Sequence, residues 1–438
     1  MRLPFLLIAL LFLPLSAQAE AIALRDALRE AGERHPQVLQ AEAGVAAARA
    51  QAAAARSQYL PRVGVAETYT LTDEPGSAMF LWLNQEKLEV SPDASTYNQP
   101  PTRHDFQTQV WLRQPLFDPD IAYGRRRSVV AVDGQAAQTQ WLREGRALAA
   151  LQAYVRVQQA QGAQAVAASA RREAQEVLRL AREHRQAGTG LKSDELQAQV
   201  ALAAAERQQL QAGNALRLAG RALALALGRP GGDVTIAGAV SAEDIPSPQT
   251  AVPGERPDLL ALTARLDDAA LAVGQGRAAR WPRAQLSAAY NLHDEAPFGS
   301  EGRSFSVQAG LTWELYDGGQ RQARLQQALA QQQGARQQWI QHQRELALAL
   351  ETARLHADEA RALQALDRQS LAQAEENQRL LKERYAAGLA SLSDTLRAQT
   401  LLDQSRQQLL ASEVGLVEAL AVVLYENGSL LQQMTEEH

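Results

Sequence analysis

The 438-residue sequence contains no cysteine. Disulfides, cysteine-type zinc sites and thiol chemistry are therefore excluded, and an oxidising compartment is permitted without being required. Its seven histidines, at 35, 104, 184, 293, 342, 356 and 438, include no i, i+4 pair and offer no His-based metal site. Positive charge is in deficit: 44 Lys and Arg stand against 49 Asp and Glu, a net charge of −5, and no basic stretch is interleaved with aromatics. That balance speaks against nucleic acid as a partner. No Gly-rich phosphate loop, nucleophile-type serine or paired histidines mark a catalytic centre, so the sequence reads as a non-enzyme without a cofactor.

Long apolar runs are scarce as well. The opening "MRLPFLLIALLFLPLSAQAEA" reads as a signal peptide over residues 1–19, with Arg2 as its positive start, Leu3–Leu15 as its apolar core and Ala17-Gln18-Ala19 as the cleavage site. The core is too short for a transmembrane helix, which needs about 20 residues. No cysteine follows the cleavage site, so a lipid anchor is not expected. Later in the chain no run of about 18 apolar residues occurs. A mature chain that spans a membrane must then do so with strands.

What the sequence does have is duplication. "REHRQAGTGLKSDELQAQ" (182–199) and "KERYAAGLASLSDTLRAQ" (382–399) keep Gly188/Gly388, Ser193/Ser393, Asp194/Asp394 and Leu196/Leu396 in step. Pro36 and Pro61 are spaced as Pro257 and Pro282 are, Tyr69 and Leu71 match Tyr290 and Leu292, and "FQTQVWLRQPLFD" matches "FSVQAGLTWELYD". The expected organisation is a first repeat over 20–228, a linker over 229–252, a second repeat over 253–428 and a tail over 429–438.

Each repeat reads as helix, strand, strand, very long helix, turn and returning helix. Proline is missing from Asp120 to Leu227 and from Gly318 to the end, and both stretches are rich in Ala, Leu, Gln, Glu and Arg, the good helix formers. Helices over 121–187 and 320–387 would each be roughly 100 Å long at about 1.5 Å per residue. Their small apolar residues are spread around the helix, which suits packing against neighbours on two sides.

The strands are expected at about 62–72 and 105–117, then at 283–293 and 303–315. Phe305, Val307, Ala309, Leu311, Trp313 and Leu315 alternate without a break against Ser306, Gln308, Gly310, Thr312 and Glu314. Leu286, Ala288, Tyr290 and Leu292 alternate likewise. Tilted by about 40°, such a strand crosses roughly 25 Å, the apolar band of an outer-membrane barrel. Trp281, Tyr290, Phe305 and Trp313 are candidate membrane-interface aromatics. In the first half Glu67 and Gln114 fall on the apolar face and Trp111 on the polar one, against the pattern. A half-buried soluble sheet would give the same alternation as a membrane sheet.

Four strands cannot close a barrel, and lipid leaves an open sheet edge unsatisfied, so several chains must share one. Two chains give eight strands with a filled interior; three give twelve, enough for a lumen. On the doubled layout, the "ERYAAGLASLSD" turn with its first-half echo and the Pro-flanked strand starts, the chain resembles the TolC-like outer-membrane factors over nearly its whole mature length. The resemblance implies a homotrimer: a twelve-stranded β-barrel, four strands per chain, in the outer membrane of a Gram-negative bacterium, continuing into an α-helical coiled-coil tunnel through the periplasm. It implies a passive duct for efflux or type I secretion, partnered by a periplasmic adaptor and an inner-membrane RND or ABC transporter, with outer-membrane lipid around the barrel.

From the residues alone, Gly188 and Gly388 suit the left-handed position after a helix end. Ser193 or Asp194, and Ser393 or Asp394, suit the start of the next helix. The resemblance adds a periplasmic gate: Asp194 and Tyr385 match a hydrogen-bonded gate pair, and Asp394 an acidic ring. Ala390 stands where the best-studied member has a gating arginine, and Arg397 where it has a second acidic ring residue. The rival reading is a periplasmic coiled-coil adaptor or scaffold without a barrel, which would carry β-rich domains flanking one helical hairpin and stay soluble without detergent.

Overall fold

The computed structural model describes residues 21–247 and 256–435. The signal-peptide reading of 1–19, part of the inter-repeat linker and the last three residues lie outside them. In chain order the elements are β1 (Ala21–Ile22), α1 (Leu24–Arg34), α2 (Pro36–Ser57), β2 (Arg62–Thr72), α3 (Pro75–Asn84), α4 (Ser95–Asn98), β3 (Arg103–Phe117), α5 (Pro119–Gln186), α6 (Lys192–Ala226), β4 (Thr235–Ile236), α7 (Pro257–Ala278), β5 (Arg283–Asp294), β6 (Gly302–Thr312), α8 (Gln320–Ala386), α9 (Leu392–Glu426) and α10 (Leu430–Thr435). Contacts divide the chain into two units, each drawing on both halves of the sequence. One holds Ala43–Ala136 and Leu260–Ile340; the other holds Met1–Glu42, Ala137–Leu259 and Gln341–His438.

The first of these units is built on a four-stranded antiparallel sheet in the order β2-β3-β5-β6. Directly opposed residues share a face. The rows Val65–Val110–Tyr290–Phe305 and Val63–Leu112–Ala288–Val307 make one face apolar. The rows Ala66–Gln109–Asn291–Ser304 and Thr68–Gln107–His293–Gly302 make the other largely polar. On that face Gln107 and Gln109 both donate to the Asn291 side-chain oxygen, at 3.2 and 2.9 Å. Only β2 and β6 are edges, so each presents one unpaired row of backbone groups.

The residues that broke the alternation have partners. Trp111 pairs with Gly64, and a Cβ at Gly64 would sit 2.4 Å from the indole, so the missing side chain is what lets the ring lie across β2. The Glu67 carboxylate, midway along β2, takes the Thr108 hydroxyl and the Phe298 amide (3.1 Å). Gln114 lies at the opposite end and donates to the Tyr59 carbonyl, beside a register shift between Pro115 and Phe117. β6 ends earlier than its alternation does. Its ladder stops at Thr312 because β5 begins at Arg283, just after Pro282, so Trp313 and Leu315 lie beyond the strand. Below the sheet α5 and α7 are tied by Arg127, whose guanidinium meets Asp268 at 2.8 and 3.0 Å.

The second unit has the larger buried core. Leu28, Leu151, Tyr154, Leu223, Leu227, Leu424 and Leu430 are fully enclosed there. The inter-repeat segment is pinned to it: the Tyr154 hydroxyl donates to the Gly238 carbonyl at 2.8 Å, and the Gln158 amide exchanges bonds with both backbone groups of Val240. Among the described residues one helix, α9, is long and apolar enough to cross a membrane by length and composition. Its Val414, Val417, Leu420, Ala421, Val423 and Leu424 are instead core residues of this unit, as an apolar stripe on a packed helix should be.

Candidate functional site

The two repeated turns lie in the second unit. α5 and α8 end alike: Gly188 and Gly388 both adopt φ +74°. Gly388 N–H donates to the Tyr385 carbonyl (2.9 Å) and Leu389 N–H to that of Arg384 (2.7 Å); Gly188 and Thr189 repeat this on Arg185 and His184. These are Schellman turns, which close otherwise unsatisfied carbonyls and require a residue that tolerates the left-handed region. In the last turns before each glycine sits the same ion-pair staple, Glu176–Arg179–Glu183 and Glu376–Arg379–Glu383. Its i, i+3, i+4 spacing is visible in both halves of the sequence.

The following helices start differently from expectation. α9 is capped by Ser391, whose Oγ accepts from the Asp394 amide at 3.1 Å and donates to the Asp394 carboxylate at 2.7 Å. Leu191 holds the matching position in the first turn and supplies no cap. Ser193 and Ser393 are thus second helical residues, exposed to solvent, and Asp194 and Asp394 third ones. Asp394 still sits where the helix dipole favours a carboxylate.

Between the turns all four helices meet in an apolar cluster of Val177, Leu178, Ala181, Ala198, Tyr385 and Leu392. Tyr385 is buried and its ring lies parallel to that of His184, with centroids 5.3 Å apart. Burial, and then the negative charge of Asp194, pushes the Tyr385 hydroxyl up from its ordinary pKa. The two are close enough to interact in this way, yet no hydrogen bond joins them among the described residues; Asp194 takes the Ser193 hydroxyl at 3.4 Å. Arg397 places its guanidinium 3.9 Å from Asp394, offsetting that charge within the chain.

Two features escaped the sequence reading. Glu195, only 7% exposed, is gripped by Arg185 (2.7 Å), Lys192 (2.8 Å) and Arg182 (3.5 Å). The Lys192 bond and the surrounding positive charge hold its carboxyl below the usual range. Further along, Arg406 of α9 meets Glu173 of α5 (3.3 Å), Glu375 of α8 (3.9 Å) and Asp403 (3.9 Å), while Gln399 donates to both Glu173 and Asp403. Three carboxylates thus surround one guanidinium. Single residues of this kind carry no sequence periodicity, and only their meeting across helices reveals them.

The aromatics of the sheet fall at two levels. Tyr290 and Phe305 are direct partners near the strand ends away from the long helices, both exposed on the apolar face. Trp281 and Trp313 are exposed at the other end, where Trp313 donates to the Arg280 carbonyl (2.9 Å) and Trp281 stacks on Phe117.

A four-stranded antiparallel sheet with one exposed apolar face, two open edges and strands that feed helices of 68 and 67 residues fits a shared outer-membrane barrel. Residues 27–229 and 252–422 match the family model described as outer membrane efflux protein, and the chain belongs to that family. Among solved structures it is similar to CusC, in a study of folding and transmembrane channel formation (TM-score 0.80, 17% identity, 92% of each chain covered). It is similar also to the CmeC outer membrane channel of Campylobacter jejuni (0.79, 16%, 94% of this chain and 86% of that one). The open state of the MtrE outer membrane channel of Neisseria gonorrhoeae is a third (0.77, 16%, 96% and 94%). No curated protein matches the sequence significantly. The protein is thus an efflux protein of the outer membrane.

Proposed function

We propose that three copies of the chain close a twelve-stranded barrel and a helical tunnel, and that the assembly is a passive duct. Periplasmic adaptor and inner-membrane RND or ABC transporter supply the substrate and the energy. The observation that carries this reading is the pair of free edges: β2 and β6 leave unpaired backbone on both sides of a sheet whose apolar face fits lipid. In a bilayer those groups are satisfied only by another chain. Eight residues separate Phe305 from Trp313, about 20 Å after a tilt near 40°, so the two aromatic levels fit the girdles of one bilayer.

The twin turns form the periplasmic end of the duct. Asp194 and Asp394, with Ser193 and Ser393 beside them, line the entrance, Tyr385 packs behind them, and Gly188 and Gly388 shape the turns. The closed state rests on packing of Tyr385 with His184 and on the Arg406 cluster, in place of an arginine lock at Ala390. Extraction from outer membranes in detergent followed by light scattering tests the assembly. A trimer that conducts in planar bilayers supports it; a detergent-independent soluble monomer ends it.

A further inference from the structure

The channel reading leaves a buried polar cluster on the sheet unused. Asp105, Gln85 and His293 are 1%, 4% and 5% exposed, at the strand ends away from the long helices. The Asp105 carboxylate lies between His293 Nδ1 (2.8 Å) and Gln85 Nε2 (2.9 Å), and the same Nε2 donates to the His104 carbonyl (2.8 Å). Asp105 pairs with Thr70, and His293 with Gln107 and Gly302, which puts all of them on the polar face. Gln85 comes from elsewhere, the long link between β2 and β3.

That link is held on this face at further points. A Cβ at Gly302 would lie 1.7 Å from the Asn84 carbonyl oxygen, so the backbone at Asn84–Gln85 is laid directly on the start of β6. Lys87 bridges Glu301 at 2.5 Å and Glu295 at 3.3 Å, both in the link between β5 and β6. The Trp82 ring covers the Arg103 guanidinium at 4.0 Å. A solvated rim loop needs no enclosed carboxylate, because burying one is costly unless its bonds are made. Here the bonds are made, and they fix a first-half segment onto second-half strands.

We propose that residues 73–102 are a lid, latched through Asp105, His293 and Lys87, that narrows the outer mouth of the channel. The proposal rests on the reading that the polar face lines the water path. A segment lying on that face at the strand ends then stands in the path itself.

The absence of cysteine makes a clean test. Gln109→Cys places a single thiol on the polar face, nearer the long helices than the latch. Intact cells carrying the full chain are treated with a small charged maleimide and with a bulky polyethylene-glycol maleimide. The small reagent should label Gln109→Cys quickly and the bulky one slowly. Adding Lys87→Glu turns two attractions into two repulsions, and should speed bulky labelling roughly tenfold, equivalent to about 1.4 kcal/mol of latch. Asp105→Asn should act in the same direction. Bulky rates in both variants no faster than in Gln109→Cys alone, in chains that still assemble, overturn the lid. The control is Val307→Cys on the apolar face, which both reagents should miss in the membrane. Labelling there as fast as at Gln109→Cys would overturn the face assignment, and the channel reading with it.

Discussion

Position 191 and position 391 differ by one oxygen-bearing side chain, and that difference has a measurable consequence. Ser391 caps α9, whereas Leu191 offers α6 no side-chain cap. Ser391→Ala should cost about 1 kcal/mol locally and Leu191→Ser should gain about the same. Hydrogen exchange at the amides of Asp394 and Asp194 reads both changes, slowing in Leu191→Ser and quickening in Ser391→Ala. The turn glycines were legible because a left-handed residue after a helix is a strong local demand. The cap was less so: Ser391, Ser393 and Asp394 compete for it within four positions, and only backbone geometry decides among them. The expected pairing of Asp194 with Tyr385 shows the same limit, since the two come near each other but Tyr385 stacks on His184, a contact no spacing announces.

At the scale of elements, the packing of α9 against α5 and α8 depends on protons. Burial pushes the Asp403 carboxyl up from 3.8 to about 6, with Gln399 lowering it, Glu173 raising it and Arg406 lowering it. A carboxyl that holds its proton more tightly when folded stabilises the fold at acid pH. Its contribution is complete below about 4 and is lost as pH rises through 6. Asp403→Asn, permanently neutral, should flatten this dependence and raise stability at pH 7 by on the order of 2 kcal/mol. Melting curves at pH 5 and 7.5 test it: the parent should melt higher at 5, and the variant should show little difference. On the sheet, Val307→Lys should destabilise the membrane-embedded fold by about 2–4 kcal/mol, while a lysine at Ser306 on the other face should cost far less; urea unfolding in lipid vesicles compares the two. The strands themselves were readable from alternation. Their exceptions were not, because Glu67 and Gln114 are satisfied by Phe298 and Tyr59, residues distant in sequence. The alternation also ran past the end of β6, where the sequence pattern continues but the neighbouring strand does not.

For the whole molecule, the quantity to measure is conductance. Tyr385→Phe and Asp194→Ala should each raise single-channel conductance in planar bilayers if these residues line a closed entrance; parent-like values in both would reduce them to helix-turn residues. An assembly is expected from the sheet alone, because a four-stranded membrane sheet is incomplete by itself. The division of the folded chain was harder to foresee. Duplication suggests two halves side by side, but each compact unit is made from parts of both. The repeat is a repeat of order along the chain, and the contacts that unite it run across.

The twin turns are copies in backbone and strangers in chemistry. Arg185, Lys192 and Glu195 of one correspond to Tyr385, Leu392 and Thr395 of the other, an ionic clasp opposite an oily plug. A ring of three chains would then present six look-alike corners of two alternating kinds. A collar of six identical subunits threaded onto it could not sit at six equal energies. It would fill in two instalments of three, each with its own sensitivity to salt.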